Sequence, residues 1–170
     1  STGNNIFLGI NAGSGATYAS NSNFFGTNAG QNATVATDSN FFGRNAGYAV
    51  SNSQNNFFGL YAGYQATNAN SNNFFGPNAG NGATNASASN FFGQNAGFGA
   101  TSVSNSNFFG NTAGSGATNA QRSNFFGLSA GSGAINASNS IFIGSAAGLN
   151  DTVNNNTNGA DYSILIGFNT

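Results

Sequence analysis

Ser22-Asn23-Phe24-Phe25-Gly26-Thr27-Asn28-Ala29-Gly30-Gln31-Asn32-Ala33-Thr34-Val35-Ala36-Thr37-Asp38 is followed directly by Ser39-Asn40-Phe41-Phe42-Gly43-Arg44-Asn45-Ala46-Gly47, the same string begun again. Working outward from this pair, the Gly that closes each apolar triplet falls at positions 9, 26, 43, 59, 76, 93, 110, 127, 144 and 167. The interval is 17 throughout, except for 16 between positions 43 and 59 and 23 between positions 144 and 167. The unit is written S-N-F-F-G-x-N-A-G-x-x-A-T-x-A-x-x. The short interval lies in Tyr48 to Gln54, and the long one is an insertion around Asp151 to Gly159. Both avoid the Phe-Phe-Gly triplet, so the change in length is expected in a surface turn.

A helical repeat needs an apolar period near 3.6 and few glycines, whereas this unit has a Gly every few residues and Asn throughout, which excludes helices. Each unit offers one short strand on Asn-Phe-Phe, a Gly break, a second short segment at Asn-Ala-Gly and a third at Ala-Thr-x-Ala. So small a unit buries its apolar face only by stacking on its neighbours. The expected fold is therefore all-β, a parallel β-solenoid (β-roll or β-helix) of about ten coils. At ~4.8 Å per coil it makes a rod on the order of 50 Å long. The layout reads as regular repeats over 1–148, an insertion loop over 149–162 and the start of a further coil over 163–170.

A strict period places like residues in columns along the rod. Asn23, Asn40, Asn56, Asn73, Asn90, Asn107 and Asn124 fall in one column before the Phe pair, where stacked amides can satisfy one another's hydrogen-bonding groups. The column Gly30, Gly47, Gly63, Gly80 and Gly97 follows Ala at a corner that demands positive φ or a close backbone approach.

Adjacent residues of a strand face opposite ways, so the two Phe of a triplet cannot both enter the coil. The paired columns are Phe24/Phe25, Phe41/Phe42, Phe57/Phe58, Phe74/Phe75, Phe91/Phe92, Phe108/Phe109 and Phe125/Phe126. One column fills the coils and the other meets neighbouring chains, because a lone rod would expose an apolar stripe larger than soluble monomers usually carry. Asn and the second Phe share a face. Toward the chain ends that face becomes Ile6 with Leu8, Ile141 with Ile143, and Ile164 with Ile166. Such an exchange of ring for branched aliphatic reads as the filling of an interior of fixed volume.

The composition narrows the chemistry. The 170 residues hold two Arg, three Asp, no Lys, Glu, His, Cys, Met or Trp, and 26 Gly with 18 Phe. The usual metal ligands, the thiol nucleophile and the imidazole acid/base are missing, so no enzyme, cofactor or metal site is expected. A net charge of −1 provides no basic stripe for nucleic acid. No apolar run approaches a membrane span, so no membrane insertion is expected of this segment.

The motif Ser-Ile-Phe-Ile-Gly-Ser-Ala-Ala-Gly at 140–148, its relatives Ser-Asn-Phe-Phe-Gly-x-Asn-Ala-Gly, and Ser-Ile-Leu-Ile-Gly at 163–167 resemble the S-V-A-I-G-x-x-A repeats of trimeric autotransporter adhesin heads. They are also similar to repeats of bacteriophage tail-fibre shafts. The resemblance implies a left-handed parallel β-roll, assembly as a homotrimer, and a place outside the cell, on a cell surface or on a virion surface. Against that family, the 17-residue period is longer than the usual head repeat and Phe stands where small Ala is usual.

The function expected is that of a fibre segment, whether shaft, spacer or adhesive head. Its partners are itself, as a homotrimer or filament bundle, and a host-surface or glycan receptor. Asp38, Arg44, Arg122, Asp151 and Asp161 recur in no column and read as solvated turn residues. Asp151 and Asp161 flank the insertion, but two carboxylates fall short of a calcium cage. Glycosylation sequons occur at Asn32, Asn85, Asn136, Asn150 and Asn155, and any glycan belongs on an outward turn.

Three alternatives have their own signatures. An ice-binding solenoid would use the column Thr17, Thr34, Thr67, Thr84, Thr101 and Thr118, which is one residue wide and read as broken at Val50 and Ile135. A curli-like functional amyloid would stack strands indefinitely from chain to chain. An FG-repeat-like disordered polymer would have no reason to keep its register.

Overall fold

A computed structural model describes residues 3–151 and 162–170. The insertion expected over 149–162 falls largely outside them, as do Asn155 and Asp161.

Ten three-residue strands follow one another along the chain. They are β1 (Ile6–Leu8), β2 (Asn23–Phe25), β3 (Asn40–Phe42), β4 (Asn56–Phe58), β5 (Asn73–Phe75), β6 (Asn90–Phe92), β7 (Asn107–Phe109), β8 (Asn124–Phe126), β9 (Ile141–Ile143) and β10 (Ile164–Ile166). They form one sheet in sequence order, and every pair is parallel. The register sets Asn on Asn and Phe on Phe, as in Asn73↔Asn90, Phe74↔Phe91 and Phe75↔Phe92. The protein is a parallel β-solenoid with a repeat of about 17 residues, and no helix occurs among the described residues.

The remaining two segments of each unit differ from the sequence reading. Asn-Ala-Gly is not a second strand. Ala29 N–H donates to Gly26 O (3.1 Å), Gln31 N–H to Asn28 O (3.1 Å) and Ala33 N–H to Gly30 O (3.2 Å), making three overlapping β-turns. The third residue of each, Asn28, Gly30 and Asn32, has φ of 60°, 62° and 57°, the positive value that type II turns require. Asn and Gly hold these slots because they enter the left-handed region at least cost. Their own N–H groups reach adjacent coils: Asn28 N–H donates to Ile10 O (2.8 Å) and Gly30 N–H to Ala46 O (2.9 Å). The Ala-Thr-x-Ala segment shrinks to single-residue bridges, Thr67↔Thr84↔Thr101↔Thr118↔Ile135.

The interior is one ring wide. A regular coil such as 89–105 buries Ser89, Phe91, Ala96, Ala100 and Val103 completely, so a single ring, one hydroxyl and small aliphatic side chains fill the section. The inward column is therefore the first Phe of each pair: Phe24, Phe41, Phe57, Phe74, Phe91, Phe108, Phe125 and Phe142 are all wholly buried. Successive rings stack at 4.6–5.1 Å from Phe24 to Phe142, with planes within 13°. This is the strand spacing imposed on side chains.

Two glycine columns make the section possible. A Cβ on Gly30 (φ 62°) would lie 2.5 Å from Phe24 Cδ2, and one on Gly76 (φ 131°) would lie 2.7 Å from Gly93 O of the next coil. The first column leaves room for the ring, and the second lets backbones approach.

The short coil corrects the expectation that length varies only at the surface. Val50 N–H donates to Gly47 O and Val50 O accepts from Thr34 N–H (2.9 Å), which places Val50 in the buried column Ala33, Ala66, Ala83, Ala100, Ala117 and Ala134. The residue lost is an interior one, from the column Ala19, Ala36, Ala69, Ala86, Val103, Ala120 and Ala137. Val50 in place of Ala and Asn55 in place of Ser, both wholly buried, supply volume beside the gap. The Thr column is consequently interrupted at Ser51 rather than at Val50.

Candidate functional site: the outer columns

Alternation carries Asn and the second Phe to the outside. Asn23, Phe25, Asn40, Phe42, Asn56, Phe58, Asn73, Phe75, Asn90, Phe92, Asn107 and Phe109 are each half-buried, and Phe126 is exposed. The face that changes to Ile or Leu near the ends is thus the outer one, not the interior: Ile6, Leu8, Ile143, Ile164 and Ile166 are all exposed. Fixed interior volume does not explain that exchange.

The outer rings cover one another. From Phe25 to Phe126 the stack is unbroken, with centroids 4.7–5.2 Å apart and planes within 18°. Ring faces are spent on ring faces, so edges are what the column offers outward. This is a narrower apolar strip than a row of bare rings.

Beside it runs a continuous amide chain. Asn23 Nδ2 donates to Asn40 Oδ1 (2.8 Å), Asn40 to Asn56 (2.8 Å), Asn56 to Asn73 (2.9 Å), Asn73 to Asn90 (2.7 Å), Asn90 to Asn107 (2.7 Å) and Asn107 to Asn124 (2.8 Å). Each amide from Asn40 to Asn107 spends one donor and one acceptor within the ladder, which holds the polar column in register with the rings.

A second polar column escaped the sequence reading because it lies inside. Ser22, Ser39, Asn55, Asn72, Ser89, Ser106, Ser123 and Ser140 are wholly buried. Ser106 Oγ donates to Ala120 O (2.7 Å) and accepts from Ser123 N–H (3.2 Å), and the hydroxyls of Ser22, Ser89 and Ser123 are bonded in the same way, so each of these four ties coils together where the backbone leaves groups unpaired. The signal for it was the constancy of Ser two places before the inward Phe, on the same side of the strand. Asn72 is the costly member, since its Nδ2 is buried without a hydrogen-bond acceptor.

The remaining candidates are scattered. Asp38 accepts from Asn21 Nδ2 (3.2 Å), Arg122 Nε donates to Asn139 Oδ1 (2.6 Å), and the Arg44 guanidinium lies 5.8 Å from the Tyr61 ring centroid. Asp151 departs from the expected solvated turn residue: it is half-buried below Ala134, and its carbonyl accepts from Ile135 N–H (2.8 Å). Among the described residues no three His, Cys, Asp or Glu side chains gather to hold a metal, and no helix is long and apolar enough to cross a membrane. The sequons at Asn32, Asn85 and Asn150 are exposed and that at Asn136 is half-buried. Thr17, Thr34 and Thr67 are exposed, whereas Thr84, Thr101 and Thr118 are half-buried.

No protein-family model matches the chain, and no curated protein matches it.

Proposed function

We propose that the chain is a structural segment of an extracellular, cell-surface or virion-surface fibre, a shaft, spacer or adhesive head that works by length and by side-by-side association of its copies. It carries out no reaction and takes no cofactor. The observation that supports this reading is the outer column of stacked Phe edges beside the amide ladder. It is apolar and repeated at every regular coil, and a second copy of the same strip carries the same ring spacing. A homotrimer closing three such strips around a common axis is the arrangement that the resemblance to adhesin heads favours.

The test is the mass in solution of the 170-residue chain and of a variant carrying Phe75→Ser, Phe92→Ser and Phe109→Ser. The parent is expected at a small multiple of 17.0 kDa, and the variant at a single chain with its β-rich circular dichroism retained. A parent that stays monomeric at high concentration overturns the reading.

One observation favours a second reading. Thr67, Thr84, Thr101 and Thr118 are bridged coil to coil in one column, and a repeated column of hydroxyl-bearing residues is the simplest element of an ice-binding face. Thermal hysteresis that Thr84→Tyr and Thr101→Tyr abolish would establish it.

A further inference from the structure

Only five tyrosines occur in the chain, and three of them meet on the turn side of the rod. The Tyr48 and Tyr64 rings stack with centroids 5.0 Å apart and planes at 15°, and Tyr61 stands edge-on to Tyr64 at 5.5 Å and 84°. The Arg44 guanidinium lies over the Tyr61 ring, 5.8 Å from its centroid. Arg44 is exposed and the three rings are half-buried, so none of the four fills the interior.

Folding does not call for these residues. Tyr61 occupies the turn slot that Asn28, Asn45, Asn78 and Asn95 hold in other coils, with φ of 58°. A bulky ring is disfavoured in that left-handed region, where Asn is at home. Tyr61 also interrupts a ladder. Asn28 Nδ2 donates to Asn45 Oδ1 (2.9 Å) and Asn78 Nδ2 to Asn95 Oδ1 (3.0 Å), and the link between the two pairs is missing where the tyrosine stands. The same slot takes Thr112, Ser129 and Ala146 further along, with φ of 57°, 57° and 58°, so the turn is made without an aromatic ring and the ring at Tyr61 is left for another use.

We propose that Arg44, Tyr48, Tyr61 and Tyr64 form a binding site for a carboxylate-bearing saccharide. Two ring planes at right angles make a corner against which the C–H faces and edges of a pyranose pack, and the phenol hydroxyls reach its hydroxyl groups. The guanidinium matches a carboxylate with two parallel hydrogen bonds. Neutral amides border the corner: Asn32 Nδ2 donates to Tyr48 Oη (3.4 Å), and Gln65 is exposed beside it. The site lies in the turns, apart from the Asn–Phe strip, so it adds a ligand to the fibre role and its test is read separately from the oligomeric state.

The experiment titrates the chain with a uronic-acid oligosaccharide and with a neutral glucose oligomer of equal length, following tyrosine resonances by NMR. The acidic sugar is expected to bind about tenfold tighter than the neutral one. Arg44→Gln and Tyr61→Asn are each expected to weaken it by about tenfold, while Arg122→Gln leaves binding unchanged. Because Tyr61→Asn restores the residue of neighbouring coils, its melting temperature is expected to match or exceed that of the parent. The proposal is overturned if the acidic sugar does not bind, if the neutral sugar binds equally well, or if the Arg44 and Tyr61 variants bind like the parent. A drop in the melting temperature of Tyr61→Asn with binding retained assigns the cluster to packing and overturns it as well.

Discussion

Truncating Phe91 to Ala removes a ring that is wholly buried between Phe74 and Phe108. The loss of burial and the cavity left behind are expected to cost about 3–5 kcal/mol. Phe92→Ala touches a half-buried ring and is expected to cost about 1–2 kcal/mol in the isolated rod, in proportion to the smaller area involved. Urea melts of the two variants check the difference, and equal midpoints would refute the assignment of the first column to the interior. Gly30→Ala meets two obstacles at once, a φ of 62° and a ring carbon 2.5 Å from the new methyl. It is expected to lower stability by about 1–3 kcal/mol, measured in the same way. At this scale the sequence left one thing open. Alternation says that Phe91 and Phe92 part company, but it is symmetric and does not say which goes in. The asymmetry lies two residues earlier, in a Ser small enough to share the inward face. It also lies in the aliphatic exchanges, which mark the tolerant outer side and not the filled one.

Among the columns, the buried hydroxyls and the outer amides differ in what replaces them when they are lost. Removing Ser106 leaves Ala120 O and Ser123 N–H without their partner away from water, an expected cost of about 1–3 kcal/mol for Ser106→Ala. Asn90→Ala opens the outer ladder between Asn73 and Asn107, where water reaches the freed groups, and is expected to cost about 1 kcal/mol. Asn72→Ser runs the other way. It removes a buried Nδ2 that has no acceptor and restores the hydroxyl of the other coils, so a higher melting temperature is expected. The strand on Asn-Phe-Phe was legible because three residues with opposite-facing neighbours and a following Gly leave little choice. The turns were not, because Asn-Ala-Gly is short enough to pass for a strand until its hydrogen bonds are counted. Val50 falls out of the 17-residue period for a related reason: the coil is one residue short, and its distance from Gly47 is what places it with Ala33, as both N–H groups donate to the Gly three residues earlier.

For the whole molecule, the in-register pairing makes units interchangeable. Removing 89–105 joins Ala88 to Ser106 and is expected to leave a folded rod one strand spacing shorter, about 4.8 Å. Removing 89–97 brings a turn opposite a strand and is expected to abolish the cooperative melt. Circular dichroism with small-angle scattering distinguishes the two. The rod and its period could be read from the letters alone, since nothing but stacking rewards so strict a count. The tyrosine corner could not, because it depends on the turn geometry that brings Tyr61 against Tyr64.

The outer amide ladder has one more consequence. From Asn23 to Asn107 each carboxamide donates its N–H in the same direction, toward the C-terminal end. The small dipoles therefore add instead of cancelling, and the rod acquires a head and a tail in the electrical sense. Two rods laid side by side then differ in energy according to whether they point alike or oppositely, so shape is not alone in choosing the orientation of a neighbour.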